Sequence, residues 1–262
     1  MIVDIFHIDS FTDTLFQGNP ACVIPLDKWL SNDLMLKIAK ENAVAETAFI
    51  IQNGDSFDLR WFTPDLEMDL CGHATLAAAH AIKTVMQYAG NRIMFNTESG
   101  LLMVDISEDK YILDFPSRPP IESTLPDEIK LSLNIQPYKV LKAERDYVLV
   151  YEDENNVRDL VIDRHQFDKI NLGQGGVAVT APGDSCDFVS RFFTPQATIF
   201  EDYVTGSSHC LLVPYWSKEL SRKELVAYQI SERLGKLYCI DAGNRTFIGG
   251  NAVTYSIGNI YI

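Results

Sequence analysis

The sequence predicts an α+β protein of two similar domains, each an antiparallel sheet or barrel wrapped around one central helix, related by a pseudo-two-fold axis. Three observations predict it. The chain repeats itself: residues 60–64 (RWFTP) return as residues 191–195 (RFFTP), an offset of 131 (191 − 60), half of the 262-residue length. The repeat extends upstream, where GDSFD at 54–58 is matched by GDSCD at 183–187, and downstream, where Thr205–His209 stands in the place of Cys71–Thr75. Self-similarity this long marks a duplicated unit. Second, the strand-like segments are short, numerous and separated by turn residues, which favours antiparallel pairing. Third, each half carries one helix that is apolar or small on nearly every side, and such a helix is enclosed rather than laid on a surface.

In chain order, residues 2–8 alternate as a strand, and 9–20 form a loop punctuated by Gly18 and Pro20. Residues 21–25 are a short apolar strand. Ser31 is placed to cap a helix over 32–42, with Leu34, Ile38 and Ala39 on one face. Segments 48–51 and 57–62 read as strands joined at Asn53-Gly54-Asp55. The first enclosed helix covers 72–86, and strands at 92–96, 101–106 and 111–115 follow. Four prolines within 116–126 mark the linker, giving domains 1–116 and 117–262, with the last strand free to return to the first domain. In the second half, 138–141, 147–151, 176–181 and 188–193 are strand-like and 164–169 is a short helix. The second enclosed helix covers 206–216 and ends near Pro214. Residues 223–234 read as an amphipathic helix, and four short strands complete the chain.

Composition narrows the function. Hydrophobic residues make up 47% and charged residues 22%, ordinary for a globular protein, and the formal charge is −14. That charge repels phosphate backbones and anionic membranes, so neither nucleic acid nor membrane is an expected partner. Five cysteines without a Cys-x-x-Cys pair fit a reducing compartment. The start, MIVDIFHID, lacks a basic segment and a long apolar run, and no stretch is long and apolar enough to span a bilayer. A cytoplasmic protein is expected.

The chemistry concentrates at the two helix starts. A helix N-terminus presents unpaired N–H groups and partial positive charge, and a first-turn glycine lets a ligand approach. Gly72-His73 and Gly206-Ser207 are therefore candidate carboxylate cradles, although a tight turn alone also explains both glycines. Two-fold-related domains would leave a crevice where these starts meet. The halves then differ. Glu46, in ENAVAETAF, has no acidic match in GGVAVTAP, and Asp202 precedes the second helix where the first half offers Glu67 or Asp69. A single carboxylate in a symmetric setting suits one-base proton chemistry, while spacing alone leaves Glu46 readable as an exposed loop acid. His80 and His209, on the enclosed helices, read as satisfied core histidines. No histidine pair has metal spacing. Cys71, at a helix start, is a candidate thiolate, but the matching Thr205 counts against a two-thiol racemase.

Together these residues resemble the PhzF family, the phenazine-biosynthesis-type isomerases, which share the diaminopimelate epimerase fold. The resemblance runs over essentially the whole chain, through FTDTLFQGNPACV, ETAF, RWFTPDLEMDLCGHATLAAA and RFFTPQATIFEDYVTGSSH. It implies no cofactor, no metal, commonly a homodimer, and isomerisation of a dihydro-hydroxyanthranilate by moving a proton. It implies Glu46 as the acid/base, with His73, Asp202 and Ser207 as polar groups that bind substrate and assist the transfer. Gly72 lines the carboxylate site, and Gly206 is its match beside Ser207. Tyr203 departs from the pattern, which usually has Pro after the acidic pair. The expectation is a cofactor-independent isomerase of a small carboxylate-bearing metabolite. An amino- or hydroxy-acid epimerase, racemase or dehydratase using Cys71, and a non-catalytic binder, are the alternatives.

Overall fold

The computed structural model describes residues 1–262. The chain forms two compact units, Met1–Phe115 with Ile248–Ile262, and Pro116–Phe247.

The first unit contains β1 (Ile2–Ser10), β2 (Asn19–Pro25), α1 (Asn32–Asn42), β3 (Glu46–Asn53), β4 (Ser56–Phe62), β5 (Glu67–Met68) and α2 (Gly72–His80). A π-helical turn, Ala81–Val85, prolongs α2. Strands β6 (Arg92–Thr97), β7 (Gly100–Ser107) and β8 (Lys110–Pro116) follow. Neighbouring strands pair antiparallel except β2 with β3 and β4 with β6, which are parallel. Every residue of α2 is buried, as expected of GHATLAAAH, whose small side chains let strands approach closely. The outer face of the sheet has its own core, where Met35, Ile38 and Ala39 of α1 pack with Val3, Ile24 and Phe49. Ser31 caps α1 as its sequence position requires, its Oγ accepting from the Leu34 N–H.

The second unit contains β9 (Ile121–Glu122), α3 (Asp127–Ser132), β10 (Lys139–Ala143), β11 (Asp146–Val150), α4 (Glu154–Arg158), α5 (Arg164–Phe167), β12 (Val177–Pro182), β13 (Phe188–Phe193) and β14 (Glu201–Asp202). Helix α6 (His209–Leu220) and strands β15 (Glu224–Gln229) and β16 (Gly235–Asp241) complete it. Through β17 (Arg245–Gly250) the chain passes back to the first unit, where β18 (Ala252–Tyr261) pairs antiparallel with β1. Parallel pairs recur, β11 with β12 and β13 with β15. Here the outer core is closed by Ile129, Val157 and Phe167 from the three short helices.

The repeat is structural as well as textual. Phe62 faces Glu67 across β4–β5, and Phe193 faces Glu201 across β13–β14. Arg60 grips Glu67 with two hydrogen bonds of 2.6 and 2.7 Å, and Arg191 grips Glu201 at 2.7 and 2.8 Å. Both are half-buried forked pairs, the geometry in which arginine and carboxylate bind well.

Two sequence expectations are corrected. Residues 223–234 are not a helix: 224–229 form β15, with Leu225, Ala227 and Gln229 buried in alternation. Lys, Glu and Leu favour helix intrinsically, but pairing on both sides, with β13 and β16, outweighs that preference. The second enclosed helix starts at His209, and Pro214 lies inside it. No helix is long and apolar enough to cross a membrane.

Two buried histidines make stability pH-dependent. His80 is satisfied on both nitrogens, by Tyr111 Oη at 3.1 Å and Thr254 Oγ1 at 3.0 Å. In α6, His209 donates from Nδ1 to the Thr205 carbonyl at 2.9 Å, while its buried Nε2 has no partner. Burial pulls both pKa values down to about 4. Below an unfolded value of about 6.5 the unfolded chain gains protons that the folded chain refuses, so each residue withdraws up to about 3 kcal/mol as pH falls from 6.5 towards 4. Urea midpoints measured from pH 7 to pH 4.5 should fall steadily, and His80→Gln should flatten the slope.

Candidate active site

The site of the first unit is assembled by long-range strand pairing around the α2 start. Parallel register sets Glu46, the first residue of β3, beside Ala21. The β1–β2 hairpin sets Ser10 opposite Asn19. Gly18 makes this turn possible: its φ is +68°, and a Cβ there would lie 2.2 Å from the Ser10 carbonyl oxygen. Ser10 Oγ then donates to the His73 carbonyl at 2.8 Å, and Thr75 Oγ1 donates to the Cys71 carbonyl at 2.5 Å. These bonds pin the first turn of α2.

His73 lies at the centre. Its Nε2 is 2.9 Å from Glu46 Oε2, with side-chain exposures of 3% and 13%. The two atoms meet at ion-pair distance, and neither has a further hydrogen-bond partner. On the other side of the ring, Nδ1 lies 3.1 Å from Asn19 Nδ2 and 3.7 Å from Cys71 Sγ. With the Asn19 amide N–H donated to Nδ1, the neutral ring keeps its proton on Nε2, facing Glu46. A charged ring requires the Asn19 amide to turn its oxygen over instead.

Burial alone would lower the His73 pKa, but its neighbours Cys71 and Glu46 outweigh it and raise it above the usual histidine range; while Cys71 is protonated, the Glu46 carboxylate is the charge that acts. The Cys71 thiol moves the other way from a reactive cysteine: burial, reinforced by Glu46 and only partly offset by His73, pushes it up to about 11. Cys71 is therefore a thiol at neutral pH. Iodoacetamide at pH 7.5 should label native Cys71 far more slowly than a free thiol, and Cys71→Ser should keep turnover within about twofold of wild type, since the effect of removing a bystander is small. Mass spectrometry of the 71-containing peptide reads the first and steady-state kinetics the second.

Glu46, Cys71 and His73 offer one donor atom each within 4.8 Å of one another. Glu46 and Cys71, however, approach different ring nitrogens. A cation binds through one ring nitrogen, so a centre of all three residues would need the Glu46 and Cys71 donors to gather on the same side of the His73 ring.

The repeat register now identifies the counterparts. Thr47 faces Phe62 and Val177 faces Phe193, so the position of Glu46 corresponds to Gly176. A Cβ at Gly176 would lie 2.4 Å from the Phe192 ring, so no acid fits there. In the same way Glu67 corresponds to Glu201, and Asp202 corresponds to Met68, not to Glu67 or Asp69. Glu46 and Asp202 thus have no acidic equivalent in the other unit.

In the second unit, Asp202 Oδ2 accepts from Thr205 Oγ1 at 2.5 Å. Gly206 and Ser207 do not open the helix as their sequence position suggests. They lie in the turn before it, closed by His209 N–H to the Gly206 carbonyl and Cys210 N–H to the Ser207 carbonyl, both 3.1 Å. The His209 bond to the Thr205 carbonyl repeats that of Thr75 to Cys71, so the two first turns are pinned alike despite the shift. Tyr203 is accommodated: Ser231 Oγ donates to its carbonyl at 2.6 Å, and the Arg233 guanidinium covers its ring at 5.6 Å.

Sequence reasoning overlooked Ser10, Asn19 and Gln229. Ser10 and Asn19 are 63 and 54 residues from His73, and only the Gly18-Asn19-Pro20 turn signal pointed towards them. Gln229 was hidden by the helical reading of its segment.

A family model described as "Phenazine biosynthesis-like protein" matches residues 8–258. Among curated proteins, an uncharacterized isomerase of Pseudomonas aeruginosa is 42% identical, with 99% of each chain covered. The phenazine biosynthesis-like domain-containing protein 1 of mouse is 36% identical, again with 99% of each covered. The crystal structure of a PhzF-family protein from Enterococcus faecalis superposes with a TM-score of 0.94 at 42% identity, over 100% of both chains. A hydroxyproline epimerase from Agrobacterium vitis has a TM-score of 0.61 at 10% identity, covering 99% of this chain and 92% of that one, a likeness of fold alone.

Proposed function

The chain belongs to the phenazine biosynthesis-like (PhzF) family, and from that premise we propose that it is an isomerase that moves a proton on a small carboxylate-bearing metabolite by one-base catalysis. Glu46 removes a proton from a carbon next to an unsaturated or carbonyl system. The electron pair left behind delocalises into that system, and the protonated Glu46 returns the proton to a different carbon, so the product is an isomer of the substrate. The N–H groups at Gly72-His73 hold an anionic group and stabilise charge as it develops. His73 keeps Glu46 in place and supplies a positive or hydrogen-bonding partner to its changing charge. Asp202 and Ser207 are assigned to substrate by the resemblance, and Gly206 by its match to Gly72.

The observation that carries this reading is the 2.9 Å approach of Glu46 to a nearly fully buried His73 at a helix start, in the one unit where that acid exists. The high Cys71 pKa argues against the thiol-base alternative. The test is incubation in deuterium oxide, without added cofactor, with dihydro-hydroxyanthranilate and a panel of small β,γ-unsaturated carboxylates. Solvent deuterium appearing at carbon, with formation of the isomer, supports the reading. Tight binding of a panel member with no exchange at any carbon would turn the assignment to a non-catalytic binder.

A further inference from the structure

Gln229 of β15 is completely buried, yet it sits beside the end of β14, which carries Asp202. Its amide orientation is fixed. The Thr205 N–H donates to Gln229 Oε1 at 2.8 Å, and an N–H has no use for the amide nitrogen as a partner. Nε2 is therefore the atom that donates to the Asp202 carbonyl at 2.8 Å and to Thr205 Oγ1 at 3.2 Å. Because the Thr205 hydroxyl accepts from Gln229, its own proton goes to the remaining close acceptor, Asp202 Oδ2 at 2.5 Å. The chain of donors runs one way, from Gln229 through Thr205 to Asp202.

The repeat supplies an independent comparison. Phe57 faces Phe95 in the first unit and Phe188 faces Ala227 in the second, so Gln229 corresponds to Thr97. With Met68 and Cys71 at the positions of Asp202 and Thr205, the first unit has none of the three groups, and Thr97 Oγ1 donates instead to the Gly100 carbonyl at 2.7 Å. A clamp needed only to pack this fold would recur in both units. It occurs only where the acid does.

We propose that Thr205 and Gln229 are positioning residues that hold Asp202 as an ionised, oriented hydrogen-bond acceptor for the substrate. A hydroxyl donated to a carboxylate favours its charged form, so the clamp keeps Asp202 from taking up a proton in mildly acidic solution. The role of Asp202 towards substrate rests on the function proposed above, whereas the clamp itself does not.

The test follows the Asp202 carboxyl carbon by NMR titration in protein labelled at aspartate Cγ, with Asp202→Asn to assign the signal. Thr205→Val, which keeps shape and loses the hydroxyl, should raise the titration midpoint by about one pH unit. Thr205→Ser should restore it, and Gln229→Leu should raise it too. Midpoints unchanged in both Thr205→Val and Gln229→Leu would overturn the proposal, as would a Thr205→Ser midpoint as high as that of Thr205→Val. Far-UV circular dichroism and thermal midpoints check that each variant is folded, and Gln229→Leu decides the matter should Thr205→Val not be. If Asp202→Asn keeps full turnover while the titration behaves as stated, the clamp stands and the substrate role of Asp202 fails.

Discussion

Glu46→Gln should abolish most of the proton transfer, lowering kcat by about 10²- to 10⁴-fold while leaving the fold and KM nearly unchanged, the range that a positioned acid/base group contributes. The amide has the shape of the carboxylate, so the contact with His73 survives, but it cannot take a proton at neutral pH. Because Glu46 retains 13% side-chain exposure, the neutral amide should not destabilise the unit through burial. Stopped-flow or steady-state assays on whichever substrate passes the deuterium screen measure kcat, and the urea midpoint checks the fold. A variant with full turnover would end the one-base account.

His73→Leu is the second large effect, and it falls on both stability and activity. It removes the group that meets Glu46, Asn19 and Cys71, leaving buried polar atoms without their partner. Breaking a buried pair by deleting one member costs about 3–5 kcal/mol, and turnover should fall by at least about a hundredfold as Glu46 loses its support. The pH dependence carries a further signature. The folded His73 pKa lies above its unfolded value, so its stabilisation is complete below about pH 6.5 and is lost as pH rises through the folded value. That alkaline decline in the urea midpoint should be present in wild type and absent in His73→Leu. The acid-side fall caused by His80 and His209 should remain in both.

Much of this was legible in the residues, and what was not has physical reasons. The 60–64 and 191–195 repeat located two equivalent strand ends and two enclosed helices, because binary pattern and turn residues are local properties. Glu46 stood out as an acid without a counterpart, and the structure identifies that counterpart as Gly176, packed against Phe192. The match of Asp202 was misjudged. Glu67 is an acid nearby in sequence, and only the strand register shows that its equivalent is Glu201 instead. Residues 224–229 show the limit of propensity, since helix-forming side chains were overridden by two strand partners. Asn19, Ser10 and Gln229 act through contacts that the chain closes only after folding, and no local pattern encodes them.

In the proposed mechanism Glu46, and not Cys71, carries the proton. Solvent deuterium incorporated at substrate carbon by Glu46→Gln and by Cys71→Ser, each compared with wild type under identical conditions, tests it most directly. Incorporation should stay at the wild-type rate in Cys71→Ser and fall by about a hundredfold or more in Glu46→Gln. Retained incorporation in Glu46→Gln together with its loss in Cys71→Ser would contradict it.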